Sequence, residues 1–337
     1  MVNLTVFYRD LEGWYDKNHR VLPWRETTDP YKIWISEIIL QQTRVDQGME
    51  YYLRFIERFP TIQSIAAASE DDVLHLWQGL GYYSRARNIY KAAQLFSEMP
   101  STYEELKQMP GVGDYTAGAI AGFAFNLPYP ALDGNVYRVL ARLSDSDIAF
   151  DTTAGKKYFH TMAEQLLDRE RPRVFNNAIM EFGALYCVPQ HPDCKHCPLQ
   201  IYCQAYAHHT VELLPVRKQR PKVRDRYFIY TIYFCQGQTI IHQRQGNDIW
   251  KHLWEFPLTE VDEKAYGQTT PAVELTHQLS HQRLHAKFML KQTTTLPVIP
   301  DTVAVSLQDI EDYTFSRLTL RAMETLIPSL LYSKRTL

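Results

Sequence analysis

Polar and apolar positions divide the chain into two regimes. Up to about residue 211, apolar side chains recur at the three-to-four-residue spacing of helices. This predicts helices over 4–18, 31–43, 48–58, 70–77, 84–99, 103–108, 136–143, 154–169 and 172–186. Asp29-Pro30 is a start signal for the second of these, and Ser101 with Glu104 reads as a capping box for the helix over 103–108. Beyond residue 226 the period shortens toward two. Strands are predicted over 227–235 and 239–244, joined as a hairpin through Gln236-Gly237-Gln238, with further strands near 271–279, 284–292 and 302–306 and a closing helix over 317–331. The fold class is therefore a mainly α N-terminal part followed by a separate α+β C-terminal domain. Between them, Pro215 to Arg226 carries Arg217, Lys218, Arg220, Lys222, Arg224 and Arg226, and reads as a linker with a positive surface.

Composition narrows the function classes. A length of 337 residues with 45% hydrophobic and 22% charged residues belongs to a globular protein of more than one domain. A formal net charge of −2 excludes a uniformly basic nucleic-acid binder, so a DNA-binding surface has to be a local patch. Arg9, Asp10, Glu12 and Asp16 interrupt any N-terminal apolar core, and the apolar run after Thr116 is broken by Asn126 and Pro128. The expectation is a cytoplasmic protein with no signal peptide and no membrane partner.

Four features carry chemistry. Met109-Pro110-Gly111-Val112-Gly113 places two glycines in a tight turn between helical segments, the helix-hairpin-helix pattern over 101–123. Its amides at Val112 and Gly113, with those opening the next helix, would form a nest for a phosphate; the alternative is a plain helix–helix turn. Asp133 follows about twenty residues later at a helix entrance, where an ordinary N-cap is the competing reading. Glu37 lies among Ile35, Ile38, Ile39 and Leu40, and a carboxylate there is either on a solvated face or buried and working. Finally, Cys187, Cys194, Cys197 and Cys203 follow a C-x6-C-x2-C-x5-C spacing, while Cys235 lies alone in a strand. Four thiolates on one loop can hold a tetrahedral zinc or an iron–sulfur cube, and the open gaps favour the larger [4Fe–4S] cluster.

Taken together these residues resemble the adenine DNA glycosylases of the MutY family, within the helix-hairpin-helix iron–sulfur superfamily that includes endonuclease III. The resemblance covers essentially the whole chain. It rests on Leu22-Pro23-Trp24-Arg25, on Trp34-Ile35-Ser36-Glu37 with Gln41-Gln42-Thr43, on Gly79-Leu80-Gly81-Tyr82-Tyr83, on the glycine hairpin, on Leu132-Asp133-Gly134-Asn135-Val136 and on the four cysteines. Trp254-Glu255-Phe256-Pro257 and His277-Gln278-Leu279-Ser280-His281 resemble that family's MutT-like (nudix-like) module.

The resemblance implies a catalytic region over 1–211, made of a helical barrel with the hairpin (about 28–133) and an iron–sulfur domain (about 1–27 plus 134–211). A basic linker (212–226) and a MutT-like 8-oxoguanine recognition domain (227–337) would follow. It implies a monofunctional glycosylase that flips out and excises adenine opposite 8-oxoguanine or G in base excision repair. Glu37 would donate a proton to adenine and Asp133, expected to stay ionised, would stabilise the cationic sugar, with Tyr115 and Asn135 orienting the pair. Lyase-competent relatives place a lysine where this chain has Tyr115, and a phenol forms no Schiff base. Trp24 and Arg25 would receive the base, Gln42 and Tyr82 would act as wedges beside Thr43, and Gly111, Val112 and Gly113 would hold phosphate. Leu279, Ser280 and His281 would probe 8-oxoguanine, with Leu279 replacing the usual phenylalanine. No nudix catalytic signature occurs over 225–337, so this domain is expected to bind and not hydrolyse. The implied partners are double-stranded DNA carrying A opposite 8-oxoguanine or G, and downstream abasic-site repair enzymes. A monomer is expected, nucleoid-associated in a bacterial cell. The alternatives are a bifunctional endonuclease III-like glycosylase/lyase, a catalytically silent mismatch binder, and a nucleotide-pool hydrolase.

Overall fold

Along the chain the helices of the N-terminal part are α1 (Leu4–Asn18), α2 (Pro30–Leu40), α3 (Val45–Arg58), α4 (Ile62–Ala66), α5 (Glu70–Leu76), α6 (Ser84–Leu95), α7 (Tyr103–Leu106), α8 (Asp114–Phe125), α9 (Gly134–Ser144), α10 (Thr153–Leu166), α11 (Pro172–Leu185) and α12 (Gln204–Ala207). This computed structural model describes residues 3–218 and 223–332; residues 219–222 of the predicted linker, including Arg220 and Lys222, lie outside it. Two compact units result, Met1–Ala67 with Lys91–Gln219, and Ala68–Tyr90 with Arg220–Leu337. No helix among the described residues is long and apolar enough to cross a membrane.

In the first unit α2 begins where the Asp29 carboxylate accepts the Tyr31 amide at 2.9 Å, with Pro30 at the first helical position. It is buried at Tyr31 and from Ile33 to Ile39, and α8, which packs on it, is buried from Thr116 to Ala124. Helices apolar on every side belong in the interior. The turn before α8 depends on Gly111 at φ 79°, a left-handed conformation open to glycine. The cap of α7 is Thr102, whose hydroxyl accepts the Glu105 amide at 3.3 Å, one residue beyond the expected Ser101. Helix α4, absent from the sequence reading, has its own capping box between Thr61 and Ser64.

The segment leading to Asp133 is seated against α8 and α11 by close approach. A Cβ on Gly118 would lie 2.8 Å from the Pro130 carbonyl oxygen, and one on Gly183 would lie 2.8 Å from Asn135. Asn176 on α11, almost fully buried, donates to the Tyr129 carbonyl at 2.9 Å and accepts the Ala131 amide at 3.0 Å. These contacts fix the backbone two residues before Asp133. The core around them combines Phe7 and Leu11 of α1 with Val139 and Leu140 of α9, Phe159 of α10, and Phe175 and Phe182 of α11.

The second unit contains two sheets. Strands β1 (Arg224–Phe234), β2 (Gln238–Gln243), β3 (Trp254–Glu255), β4 (Leu258–Val261), β5 (Val273–Gln278), β6 (Gln282–Gln292) and β7 (Thr302–Ser306) are joined by α13 (Glu263–Gly267) and α14 (Arg317–Tyr332). Their orders are β4-β1-β6-β5 and β3-β2-β7. The predicted hairpin turn forms, with Gln236 and Gly237 both at positive φ and Cys235 bridged to Gln238. Its two arms then diverge into different sheets, because β1 pairs in parallel with β6 along its whole length. Phe228, Tyr230 and Ile232 alternate inward on β1, and the Tyr230 ring stacks on Phe288 of β6 at 4.7 Å.

The linker reading also changes. Leu214 is buried, Arg217 lies over the Phe150 ring at 4.9 Å, and β1 already begins at Arg224. Arg226 is held by Asp248 at 2.8 Å and Glu260 at 2.7 Å, so its charge is neutralised in a network and is not part of a positive surface.

Candidate active site and nucleic-acid interface

A cavity of about 320 Å³ in the first unit collects eight of the predicted residues: Trp24, Arg25, Glu37, Gln42, Thr43, Tyr115, Asp133 and Asn135 all line it. Glu37 projects from α2 and is 7% exposed; its Oε2 accepts the Tyr115 hydroxyl at 2.7 Å. Burial is the largest influence on this carboxyl and pushes it up to about 7, assisted by Asp133 and opposed by the Tyr115 hydrogen bond and by Arg25. Tyr115 is itself raised well above the usual phenol range by burial and by the two carboxyls, so it remains a donor.

Asp133 is the N-cap of α9. Its Oδ1 accepts the amides of Asn135 at 2.9 Å and Val136 at 2.8 Å, and its Oδ2 accepts the Asn135 side-chain amide at 2.7 Å. Burial raises this carboxyl too, against those donors and Arg138. The expectation that Asp133 stays ionised rests on those donors. The two carboxyls differ in the donors supplied to the charged form, three on Asp133 against one on Glu37, and that difference favours Asp133 as the anion of the pair.

Glu181 on α11, missed by the sequence reading, organises the other wall. Its carboxylate accepts from Arg20 Nη2 at 2.7 Å and from Arg25 Nη2 at 2.8 Å. Burial alone would raise it, but the Arg20 and Arg25 hydrogen bonds outweigh that and hold it at about 2. Arg25 is thereby fixed at the cavity with its Nη1 lacking a partner among the described residues. The signal was available, since Glu181 interrupts an apolar helix as Glu37 does. Arg138, also missed, donates through Nε to the Cys187 carbonyl at 2.7 Å and through Nη2 to Asn135 Oδ1 at 2.9 Å.

The glycine hairpin departs from its predicted nest in one respect. The Val112 amide donates to the Met109 carbonyl at 3.0 Å within the turn. Gly113 is the N-cap of α8, which no side chain caps.

The four loop cysteines border a single small void enclosed by Val139, Leu143, Phe182 and Leu199. Arg142 donates to Cys187 Sγ at 3.3 Å and to the Val188 and Pro189 carbonyls, fixing the start of the loop. Among the described residues no three His, Cys, Asp or Glu side chains converge as a single bound ion would need. Four sulfurs around a shared void suit a multi-atom cluster better than one zinc.

In the second unit, Tyr82, Leu279, Ser280 and His281 border a separate cavity of about 550 Å³. Tyr82 stands in the left-handed region at φ 48°, and its hydroxyl lies 2.6 Å from Ser280 Oγ.

Comparison with known proteins gives this geometry its context. Residues 35–153 match the family described as HhH-GPD superfamily base excision DNA repair protein, and residues 229–325 match the NUDIX domain. The solved structure of a thermostable thymine-DNA glycosylase superposes with a TM-score of 0.55 at 26% identity, covering 61% of this chain and 97% of that one. An endonuclease III–DNA complex superposes at 0.52, covering 62% and 99%, and at 22% identity speaks for the fold alone. The adenine DNA glycosylase of Buchnera aphidicola subsp. Baizongia pistaciae is 37% identical over 75% of this chain and 73% of its own. The human adenine DNA glycosylase is 42% identical over 61% of this chain, which spans 40% of the human one. With the adenine DNA glycosylase of Buchnera aphidicola subsp. Schizaphis graminum, 33% identity extends over 90% of this chain and 89% of the relative. A buried glutamate and a capped aspartate in one cavity, on a fold and sequence of this kind, lead to one conclusion: the chain belongs to the adenine DNA glycosylase family and is a base excision repair enzyme that removes adenine.

Proposed function

We propose that the enzyme is a monofunctional glycosylase that removes adenine opposite 8-oxoguanine or guanine. The observation that carries the reading is the bond from the Tyr115 hydroxyl to Glu37, in a cavity whose lining contains no lysine. The base enters beside Trp24 and the open Nη1 of Arg25. Glu37, protonated near neutrality, donates to the adenine ring and makes it a better leaving group. Asp133 keeps its charge on three donors and stabilises the positive charge that develops on the sugar. Water completes the hydrolysis, and among the described residues no lysine lines the cavity to form a Schiff base. In the second unit the Tyr82 hydroxyl and Ser280 read the base that remains in the opposite strand, which Tyr82 helps to separate from its neighbours. Phosphates dock on the hairpin amides, and affinity falls steeply with salt.

A single-turnover reaction on a duplex carrying adenine opposite 8-oxoguanine tests this directly. Strand breaks are expected only after alkali treatment. Breaks without alkali, or a borohydride-trapped protein–DNA adduct, would reassign the enzyme to the bifunctional class.

We also propose that Cys187, Cys194, Cys197 and Cys203 hold a [4Fe–4S] cluster, which would stabilise the loop following α11. Arg138 ties the Cys187 carbonyl to Asn135, and Asn135 to Asp133. Arg138→Met leaves these buried acceptors unpaired, and losing such bonds costs about 1–3 kcal/mol for each unsatisfied group. The variant is expected to unfold several degrees earlier and to excise adenine at least tenfold more slowly. Calorimetry and single-turnover rates read both effects; a fall in stability with an unchanged rate would confine Arg138 to the loop.

A further inference from the structure

The reading above gives no task to two aromatic side chains of the second unit's cavity: Tyr83, buried with its hydroxyl donating to the Phe315 carbonyl, and the half-buried Trp250. Trp250 lines it together with Tyr82, Leu279 and Ser280. Its backbone lies in the left-handed region at φ 58°, as does that of His252 at φ 65°. Bulky residues avoid this region, and they persist there only where the surroundings hold them.

Here the surroundings do so from several directions. Arg87 Nη1 donates to the Lys251 carbonyl at 2.8 Å, and His252 Nδ1 meets Glu70 Oε2 at 3.0 Å. Gln243 Nε2 donates to the His252 carbonyl at 3.0 Å, and Arg244 Nε to the Ile249 carbonyl at 3.0 Å. The Trp250 ring meets His277 edge-on at 5.8 Å, on the strand that leads into the Leu279–Ser280 turn. Trp250 packs one side on the hydrophobic cluster yet stays half-buried, so part of the indole remains accessible. The strained and clamped turn delivers an indole to a cavity also bordered by Leu279, a side chain with no π-face.

We propose that Trp250 is the aromatic wall of the pocket for the base opposite the excised adenine, supplying the stacking surface that Leu279 does not. The inference rests on the reading of the second unit given above. Stacking on an aromatic face tolerates any base and contributes affinity. Ser280 and the Tyr82 hydroxyl then supply the polar discrimination.

The test uses the full chain carrying Glu37→Gln, so that DNA binds without turnover. Affinity is measured by fluorescence anisotropy on two duplexes, adenine opposite 8-oxoguanine and adenine opposite a tetrahydrofuran abasic site, which offers no base. Trp250→Leu is expected to weaken binding to the first duplex by about tenfold or more, the scale of one lost stacking contact, and to leave the second within about twofold. Trp250→Phe, similar in size to leucine but aromatic, is expected to retain most of the affinity, which separates stacking from a packing defect. Equal weakening on both duplexes, or equal losses for Leu and Phe, would overturn the role of Trp250 while leaving 8-oxoguanine reading by this unit intact. A parent protein that binds both duplexes equally would instead remove the underlying reading, and the proposal with it.

Discussion

Replacing Glu37 by Gln is expected to slow adenine excision by about a hundredfold to ten-thousandfold, the usual span for loss of a general acid, while DNA affinity changes only a few-fold. The amide keeps the shape of the protonated carboxyl and still accepts from the Tyr115 hydroxyl, so the cavity survives and only the transferable proton is lost. The same group sets the pH response. With its carboxyl pushed up to about 7, Glu37 is protonated below that pH, and the excision rate is expected to fall above it. The sign for stability follows from linkage. The folded value lies above the ordinary one of 4.5, so the protonated form is preferred in the fold. Its contribution is full below 4.5 and is lost as pH rises through about 7. Glu37→Gln should therefore match the parent in thermal unfolding at pH 5 and exceed it at pH 8. A variant less stable at pH 8 would mean that the Glu37 carboxylate is favourably paired in the fold.

Asp133→Asn isolates charge from capping. Asparagine is as good an N-cap as aspartate, so the amides of Asn135 and Val136 keep an acceptor and α9 keeps its start. The negative charge facing the sugar disappears. A loss of about a hundredfold to a thousandfold in the single-turnover rate is expected, the range seen when one preorganised electrostatic contact is removed from a transition state. Binding to a duplex containing an abasic product should change little. If Asp133→Asn excised adenine at the parent rate with its structure intact, the stabilising charge would have to come from another group, and Glu37 and Glu181 are the other carboxyls lining the cavity.

How far the sequence reached can be judged residue by residue. Glu37 was found because a carboxylate breaks the apolar run Trp34–Leu40, and eight predicted residues from segments far apart in sequence converge on one cavity. Glu181 carries the same signal on α11, but its partners Arg20 and Arg25 lie 161 and 156 residues away, and no local pattern connects them. The cap of α7 was misplaced by one residue because Ser101–Glu104 and Thr102–Glu105 have the same spacing; only the folded backbone selects the second. Periodicity located β1 and β2 and the turn between them. It could not tell that β1 would pair in parallel with β6, because parallel pairing is set by a distant crossover and leaves no mark at the turn. Positive charge in the linker was legible as composition, whereas the capture of Arg226 by Asp248 and Glu260 required the third dimension.

The grouping of Ala68–Tyr90 with the C-terminal part affects how the protein is made. Glu70 finds its partner His252 182 residues later, and the Tyr83 hydroxyl reaches the Phe315 carbonyl 232 residues later. At a ribosomal pace of about 5–20 residues per second, roughly ten to forty seconds separate the emergence of Glu70 from that of His252. During that interval Glu70, Tyr83 and Arg87 wait without the partners they will finally bond, while the helices on either side can already assemble. A stop codon or a protease cut near residue 220 would therefore divide a folding unit internally, and would part Glu70 and Tyr83 from the groups they bond in the intact chain.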